Sequence, residues 1–352
     1  LAKFRVDPHP RIMTVPSFHF GSVRGSPLPA GLFRSAVTAC LVPSRYSIAL
    51  PIWTLDSRSP IVSIRSHCAM SMPGSRSTGS AAFFDFSVLT MFDPEKARAA
   101  SHLLVNHWDN GTRFDAIPEL LRPRTRSEGY AVQSHVMDRS AAPLFGWKIA
   151  ATSLAGQRHI NVDGPMAGRL LAEKAVDVGG TVSLATSRMR VAEIEFAFRF
   201  GRELQPRAEP YEIAEVMDAV AALHPAIEIP DSRYDDFCAV GAAQLIADNA
   251  CANLFVIGEA VEDGWRDVDL AKHPVVAFVA GKSRHDGSGA AVLGDPRIAL
   301  QWIVNELSGL GIALQPEQVV ITGTCVKPIE VEPGDEVTGD LGRFGRVSVR
   351  FD

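Results

Sequence analysis

Two glutamates one residue apart, Glu193 and Glu195, stand in the stretch Val191 to Phe200, VAEIEFAFRF, and a third, Glu228, stands in the apolar stretch Leu223 to Pro230, LHPAIEIP. The first stretch alternates strictly, which predicts a β-strand with Ile194, Phe196, Phe198 and Phe200 on one face. Glu193 and Glu195 then share the other face, roughly 6.6 Å apart along the strand, as neighbouring like charges. A solvated strand face is the ordinary explanation of a lone Glu-x-Glu. It does not cover Glu228, because an unpaired carboxylate inside an apolar strand is costly and needs a partner. The chain offers no matching cluster of Lys or Arg beside these acids. A hard divalent cation reconciles them: Mg²⁺ or Mn²⁺ favours oxygen ligands in octahedral geometry and keeps positions open for water or substrate, whereas Ca²⁺ takes more ligands.

The rest of the chain must position these groups. Its 352 residues, 46% hydrophobic and 21% charged, are ample for a buried core. A formal net charge of -5, no apolar run of membrane-spanning length and no basic tract interleaved with aromatics argue against a membrane or nucleic-acid partner. Cys40, Cys68, Cys238, Cys251 and Cys325 form an odd set without Cys-x-x-Cys spacing, so neither a disulfide framework nor a zinc site is indicated, and a reducing, cytoplasmic location suits them.

Charge divides the chain. Residues 1–90 hold three acids and nine Lys or Arg, leaving 37 acids and 26 bases for the remainder. This Ser-, Arg- and Pro-rich stretch begins at Leu1, lacks a sustained period and is too long for a transit peptide. It reads as an unstructured extension or as upstream sequence read through in frame, with the functional protein starting at Met91 and a helical part over 91–140. From there Asp93-Pro94 predicts a helix over 94–109, and the capping box Thr125-x-x-Glu128 a second one to about Met137. Strands are expected at 146–150, 181–184, 191–200, 226–229, 254–257, 275–279, 319–322 and 345–351, with helices at 211–222, 235–248 and 296–309. This order predicts a mixed α+β domain with a strand-rich core rather than a regular βαβ array.

Glu193-x-Glu195 followed about thirty residues later by Glu228 in P-A-I-E-I-P-D-S-R resembles the metal triad of the fumarylacetoacetate hydrolase superfamily. Its 2-keto-4-pentenoate hydratase branch, with the 2-oxohepta-3-ene-1,7-dioate hydratases and 4-oxalocrotonate decarboxylases, is matched in order by Gly129-Tyr130-Ala131-Val132-Gln133, Gly146-Trp147-Lys148-Ile149, Ala247-Asp248-Asn249-Ala250, Leu293-Gly294-Asp295-Pro296, Ile321-Thr322-Gly323-Thr324 and Gly345 to Val349. The resemblance runs from Met91 to the end. It implies a β-roll or sandwich core with flanking helices, Mg²⁺ or Mn²⁺ on Glu193, Glu195 and Glu228, a small 2-oxo acid substrate from aromatic catabolism, and a homo-oligomer. The reaction it implies is hydration of a 2-hydroxy-2,4-dienoate through its 2-oxo-3-enoate tautomer. Decarboxylation, C–C hydrolysis of an acylpyruvate, and a noncatalytic metal-stabilised homologue are the alternatives.

The resemblance also gives single residues roles. Lys148, in the family's Gly-x-Lys pattern, would donate to substrate or shuttle a proton rather than lie at a strand's surface end. Thr324 would hold the substrate carboxylate, or bond its own backbone. Asp248 would be catalytic, or a cap or buried acceptor. One departure bears on the chemistry: hydratases of this branch carry Pro-Asp-[Phe/Tyr]-Gly about seventeen residues after the lysine, and here the segment is Pro165-Met166-Ala167-Gly168. Met166 cannot move a proton, so either Asp163 substitutes for the missing carboxylate or the reaction differs from simple hydration.

Overall fold

The computed structural model describes residues 92–352; the expectation for residues 1–90 lies outside them. Asp93 accepts a hydrogen bond from the Glu95 amide and Pro94 opens α1, Pro94–Asn110, which ends at Gly111 in the left-handed conformation. α2, Arg126–Ser134, starts at the reciprocal Thr125 and Glu128 cap. Then come β1 Leu144–Ala150, α3 Leu154–His159, β2 Met166–Leu171, β3 Thr181–Val182, β4 Val191–Phe200, α4 Ile213–Ala219, β5 Val220–Ile229, α5 Ala242–Ala247 and β6 Leu254–Ile257. β7 Pro274–Val279, β8 Ser283–Ser288, α6 Pro296–Gly309, β9 Val319–Thr324, β10 Ile329–Glu330, β11 Glu336–Asp340 and β12 Arg346–Phe351 complete the chain.

The strands form two sheets. The larger runs β2-β1-β9-β4-β5-β6, with β10 paired to β4; the smaller runs β3-β12-β11-β7-β8. The expected mixed α+β class with a strand-rich core is what the chain adopts. β4 has the expected bounds, and Ile194, Phe196, Phe198 and Phe200 are all fully buried on one face. On that face the smaller sheet packs: Phe196 lies against His273 and Phe344, Phe198 against Trp265, and a Cβ on Gly339 of β11 would meet Ile194 at 2.7 Å. The opposite face of the larger sheet carries a second apolar cluster of Leu170, Ala197, Ala226, Phe255, Val319 and Ile321.

Two expected helices give way, and five elements appear that the sequence did not announce. The helix expected over 211–222 stops at Ala219, and β5 begins at Val220 and continues through Pro225. Pro225 is tolerated in this central strand because β6 has already ended beside it, and its carbonyl accepts from the Gly258 amide. The helix expected over 235–248 is confined to Ala242–Ala247, after Gly241 with φ 78° has broken the path. β2, β8, β10, β11 and α3 were not expected. β8, sequence SRHDGS, has no apolar alternation to reveal it and is held as an edge strand by backbone pairing to β7.

Candidate metal centre and active site

In the antiparallel pairing of β4 with β5, Glu193 stands opposite Glu228 and Glu195 opposite Ala226. The three carboxylates therefore share a face, and one oxygen or another of each lies within 4.8 Å of the others. Lys148 of β1 pairs with Ile321 of β9, which itself pairs with Ala197 of β4, so the lysine points to that same face. Two strands, β9 and β4, separate β1 from β5. Yet Lys148 Nζ reaches Glu228 Oε1 at 2.8 Å, which requires the sheet to curl around this face.

The site is largely buried and acidic. Glu195, Glu228 and Lys148 are buried at 0%, 1% and 2% exposure, and Glu193 is half-buried at the rim. Glu195 Oε2 accepts from the Gly323 amide at 2.6 Å. Gly323 has φ 110°, and a Cβ there would stand 2.0 Å from Thr152 Oγ1, so only glycine brings that amide to the carboxylate. Glu195 Oε1 and Glu228 Oε2 have no hydrogen-bond donor, and Glu228 Oε1 has only the Lys148 ammonium, at 2.8 Å. Burial, then repulsion from Glu228, pushes the Glu193 carboxyl up to about 7, against the pull of Lys148. The same burial, with Glu228 and Glu193 adding to it, raises Glu195 well above the ordinary carboxylate range. Glu228 is raised by burial, with Lys148 offsetting part. Burial alone would lower Lys148, but Glu228 and Glu193 outweigh it and hold the ammonium above its ordinary value.

These features fit a divalent cation. Three carboxylates against one ammonium leave two negative charges, which a divalent ion cancels, and the unserved oxygens are hard ligands already converged. Glu193, Glu195 and Glu228 are the residues that would hold it.

The other candidates fall differently. Thr324, paired across the strands with Glu195, is partly buried beside the centre, and its hydroxyl donates to the Val326 carbonyl at 2.7 Å. Asp248 is buried but its carboxylate accepts from Arg233 and Ser232. Burial lifts Asp248, and Arg233 with Ser232 offsets only part of that. Asp163 is not brought to the centre: its side chain is 82% exposed and reaches only Arg126, at 3.4 Å. The expectation that it replaces the missing carboxylate is corrected, because it precedes β2 and stays on the surface. Met166 does face the centre's side, since β2 sets it opposite Ala150, two residues along β1 from Lys148, and it is 1% exposed. Two contributors escaped the sequence reading, the Gly323 amide and the Ala250 carbonyl, which accepts from Lys148 Nζ at 3.1 Å. Both are backbone groups, and no side-chain pattern marks them.

Residues 138–352 match the family model of the fumarylacetoacetate (FAA) hydrolase C-terminal domain. The 2-keto-4-pentenoate hydratase 1 of Dechloromonas aromatica is 31% identical over 261 residues, which are 72% of this chain and 96% of the relative. A 4-oxalocrotonate decarboxylase of Pseudomonas sp. is 30% identical over 217 residues, 61% of this chain and 81% of the relative. The solved 4-oxalocrotonate decarboxylase from Pseudomonas putida G7, complexed with magnesium and adipate, is 26% identical with a TM-score of 0.68, covering 74% of this chain and 99% of that one. By sequence and by fold alike, the chain belongs to the fumarylacetoacetate hydrolase family.

Proposed function

We propose that the protein is a divalent-metal-dependent hydratase of a short 2-hydroxy-2,4-dienoate, acting through its 2-oxo-3-enoate tautomer. The observation that carries the reading is the converged set of buried carboxylates with unserved oxygens beside one buried ammonium. When bound, Mg²⁺ or Mn²⁺ would supply charge stabilisation to a 2-oxo acid whose C2 oxygen becomes negative. Glu193, Glu195 and Glu228 would hold that cation. Lys148 Nζ is the proton carrier: in the net reaction the hydroxyl of water adds to C4 and a proton to C3, and the ammonium holds and returns that proton. The buried surroundings keep bulk water from competing for it.

Met166 favours a second reading on the same site. Loss of CO₂ from a 2-oxohex-3-enedioate breaks the C5–C6 bond, and its electron pair forms C4=C5 while C3=C4 moves to C2=C3. The C2 oxygen then takes one proton, giving 2-hydroxypenta-2,4-dienoate. No water has to be activated, so a buried methionine where the hydratases carry an aspartate is compatible. The two are separated by incubating the Mn²⁺-loaded protein with each substrate. Loss of dienoate absorbance with appearance of 4-hydroxy-2-oxopentanoate supports hydration, and CO₂ release from the enedioate supports decarboxylation. Turnover of neither refutes both.

A further inference from the structure

Asn249, Ala250 and Cys251 follow one another with φ of 54°, 51° and 60°, all left-handed. Asparagine visits that region readily, but alanine and cysteine do so under strain, which persists only where the surroundings over-determine it. Here they do. The Asp248 carboxylate accepts from Ser232 Oγ at 2.9 Å, from the Arg233 amide at 3.0 Å and from Arg233 Nε. The Arg233 guanidinium also spans the turn, Nη2 donating to the Asp248 carbonyl before it and Nη1 to the Ala252 carbonyl after it at 3.1 Å. Asn249 itself stands in for a missing strand: its Oδ1 accepts from the Arg169 amide at 2.7 Å and its Nδ2 donates to the Arg169 carbonyl at 2.8 Å, closing the outer edge of β2.

What this strained run delivers is the Ala250 carbonyl, 3.1 Å from Lys148 Nζ. A Cβ on Gly168 would lie 2.4 Å from the Asn249 carbonyl oxygen and 3.0 Å from Lys148 Cγ and Cδ, so turn, β2 and lysine stem form one packed layer. Lysine is a point charge on a flexible four-carbon stem and needs more than one anchor to fix its direction. Of its two anchors, Glu228 is also a candidate cation ligand, which leaves the Ala250 carbonyl as the one that no cation competes for.

We propose that the left-handed turn 249–251 is a bracket that fixes the Lys148 ammonium in the site, with Asn249 as its positioning residue and the Arg233–Asp248 pair holding it closed. The proposal deepens, and rests on, the reading of Lys148 as proton carrier. Asp248 then acts through Arg233 and the turn rather than on substrate.

Asn249→Ala deletes both bonds to β2, and Asn249→Gly deletes the same bonds while suiting the left-handed backbone. Lys148 is to be modified with an amine-reactive imidate in the metal-free full chain and read by peptide mass spectrometry against Lys272, which is 87% exposed. Release of the bracket is expected to raise the Lys148 modification rate by about tenfold through local opening. In the Mn²⁺-loaded protein the same variants should lower kcat by about 10- to 100-fold through misplacement, with KM and Mn²⁺ affinity within about twofold of wild type. An unchanged modification rate in a folded Asn249→Ala protein overturns the proposal, and so does a parallel loss of Mn²⁺ affinity and kcat, which marks general loosening. If Asn249→Ala does not fold, Asn249→Gly decides by the same two readouts. The modification rate is independent of turnover: a protein inactive on both 2-oxo acids whose Lys148 is protected by Asn249 refutes the assigned reactions and upholds the bracket.

Discussion

Replacing Lys148 by methionine separates what the lysine does for the fold from what it does for the reaction. It is 2% exposed, 2.8 Å from a Glu228 that is itself 1% exposed, and it is the cation that lowers all three carboxylates. Removing one partner of such a buried pair costs about 3–5 kcal/mol, since the remaining charge is left uncompensated. For a domain of this size each kcal/mol moves Tm by about 2–4 °C, so metal-free Lys148→Met should melt roughly 6–20 °C below wild type at pH 8. The gap should narrow at pH 6, where Glu193, with its pKa near 7, takes a proton instead of needing a counter-ion. Saturating Mn²⁺ should restore much of the loss, because a cation replaces the missing charge, while kcat stays down by about 10² or more for want of the proposed proton carrier. Differential scanning calorimetry with and without Mn²⁺, alongside steady-state turnover, reads both. A metal-free variant as stable as wild type at pH 8, or one that turns over at the wild-type rate, refutes the reasoning.

Glu193→Ala, Glu195→Ala and Glu228→Ala should each weaken Mn²⁺ binding by more than the roughly 10–100-fold typical of a group one shell out, and abolish turnover with the fold kept; calorimetric titration showing unchanged binding in all three removes the site. Because Glu193 is raised to about 7, its contribution to metal-free stability is lost as pH rises from its unfolded value towards 7, and Mn²⁺ affinity should fall about tenfold per unit below pH 7 for each proton displaced; a flat affinity from pH 5 to 8 contradicts this. Gly323→Ala puts a Cβ 2.0 Å from Thr152 Oγ1 at a backbone φ of 110°, so it should lose about 2 kcal/mol or more in denaturant unfolding and loosen Mn²⁺ through Glu195; wild-type values of both would show that the amide contact is dispensable. Met166→Asp should raise the ratio of hydration to decarboxylation, and an unchanged product ratio would detach that position from the choice of reaction.

The glutamate face was legible because β4 is long, strictly alternating and bounded by its neighbours; its expected and observed limits coincide. So was α6, where Asp295 accepts from the Arg297 amide and Pro296 sets the first turn. Lys148 was legible as a residue type in a strand, but not as the partner of Glu228, because their meeting depends on strand order and curl across two intervening strands. Asp163 was misjudged for the complementary reason: three residues before Met166 in sequence, it lies outside β2 and never enters the register that sets which face a side chain takes. The left-handed run beyond Asn249 had no signal, since Ala250 and Cys251 are residue types that rarely adopt it.

The same sheet explains why the site persists although it opposes folding. Glu193 alone, raised from 4.5 to about 7, opposes the metal-free fold by about 3 kcal/mol above neutral pH, at 1.36 kcal/mol per pKa unit. On the other face of β4, Ile194, Phe196, Phe198 and Phe200 are fully buried. At about 1.5–3 kcal/mol each, an upper estimate, they outweigh that penalty. A one-residue slip that turned the glutamates to solvent would drive those four side chains out of the core. The register is therefore set by the apolar face, and that register puts the carboxylates on one shared face. A binding site that is built before its ligand arrives loses little conformational entropy on binding. On the proposed reading of the three carboxylates as cation ligands, that pre-organisation is what the two glutamates gain by standing side by side on this strand.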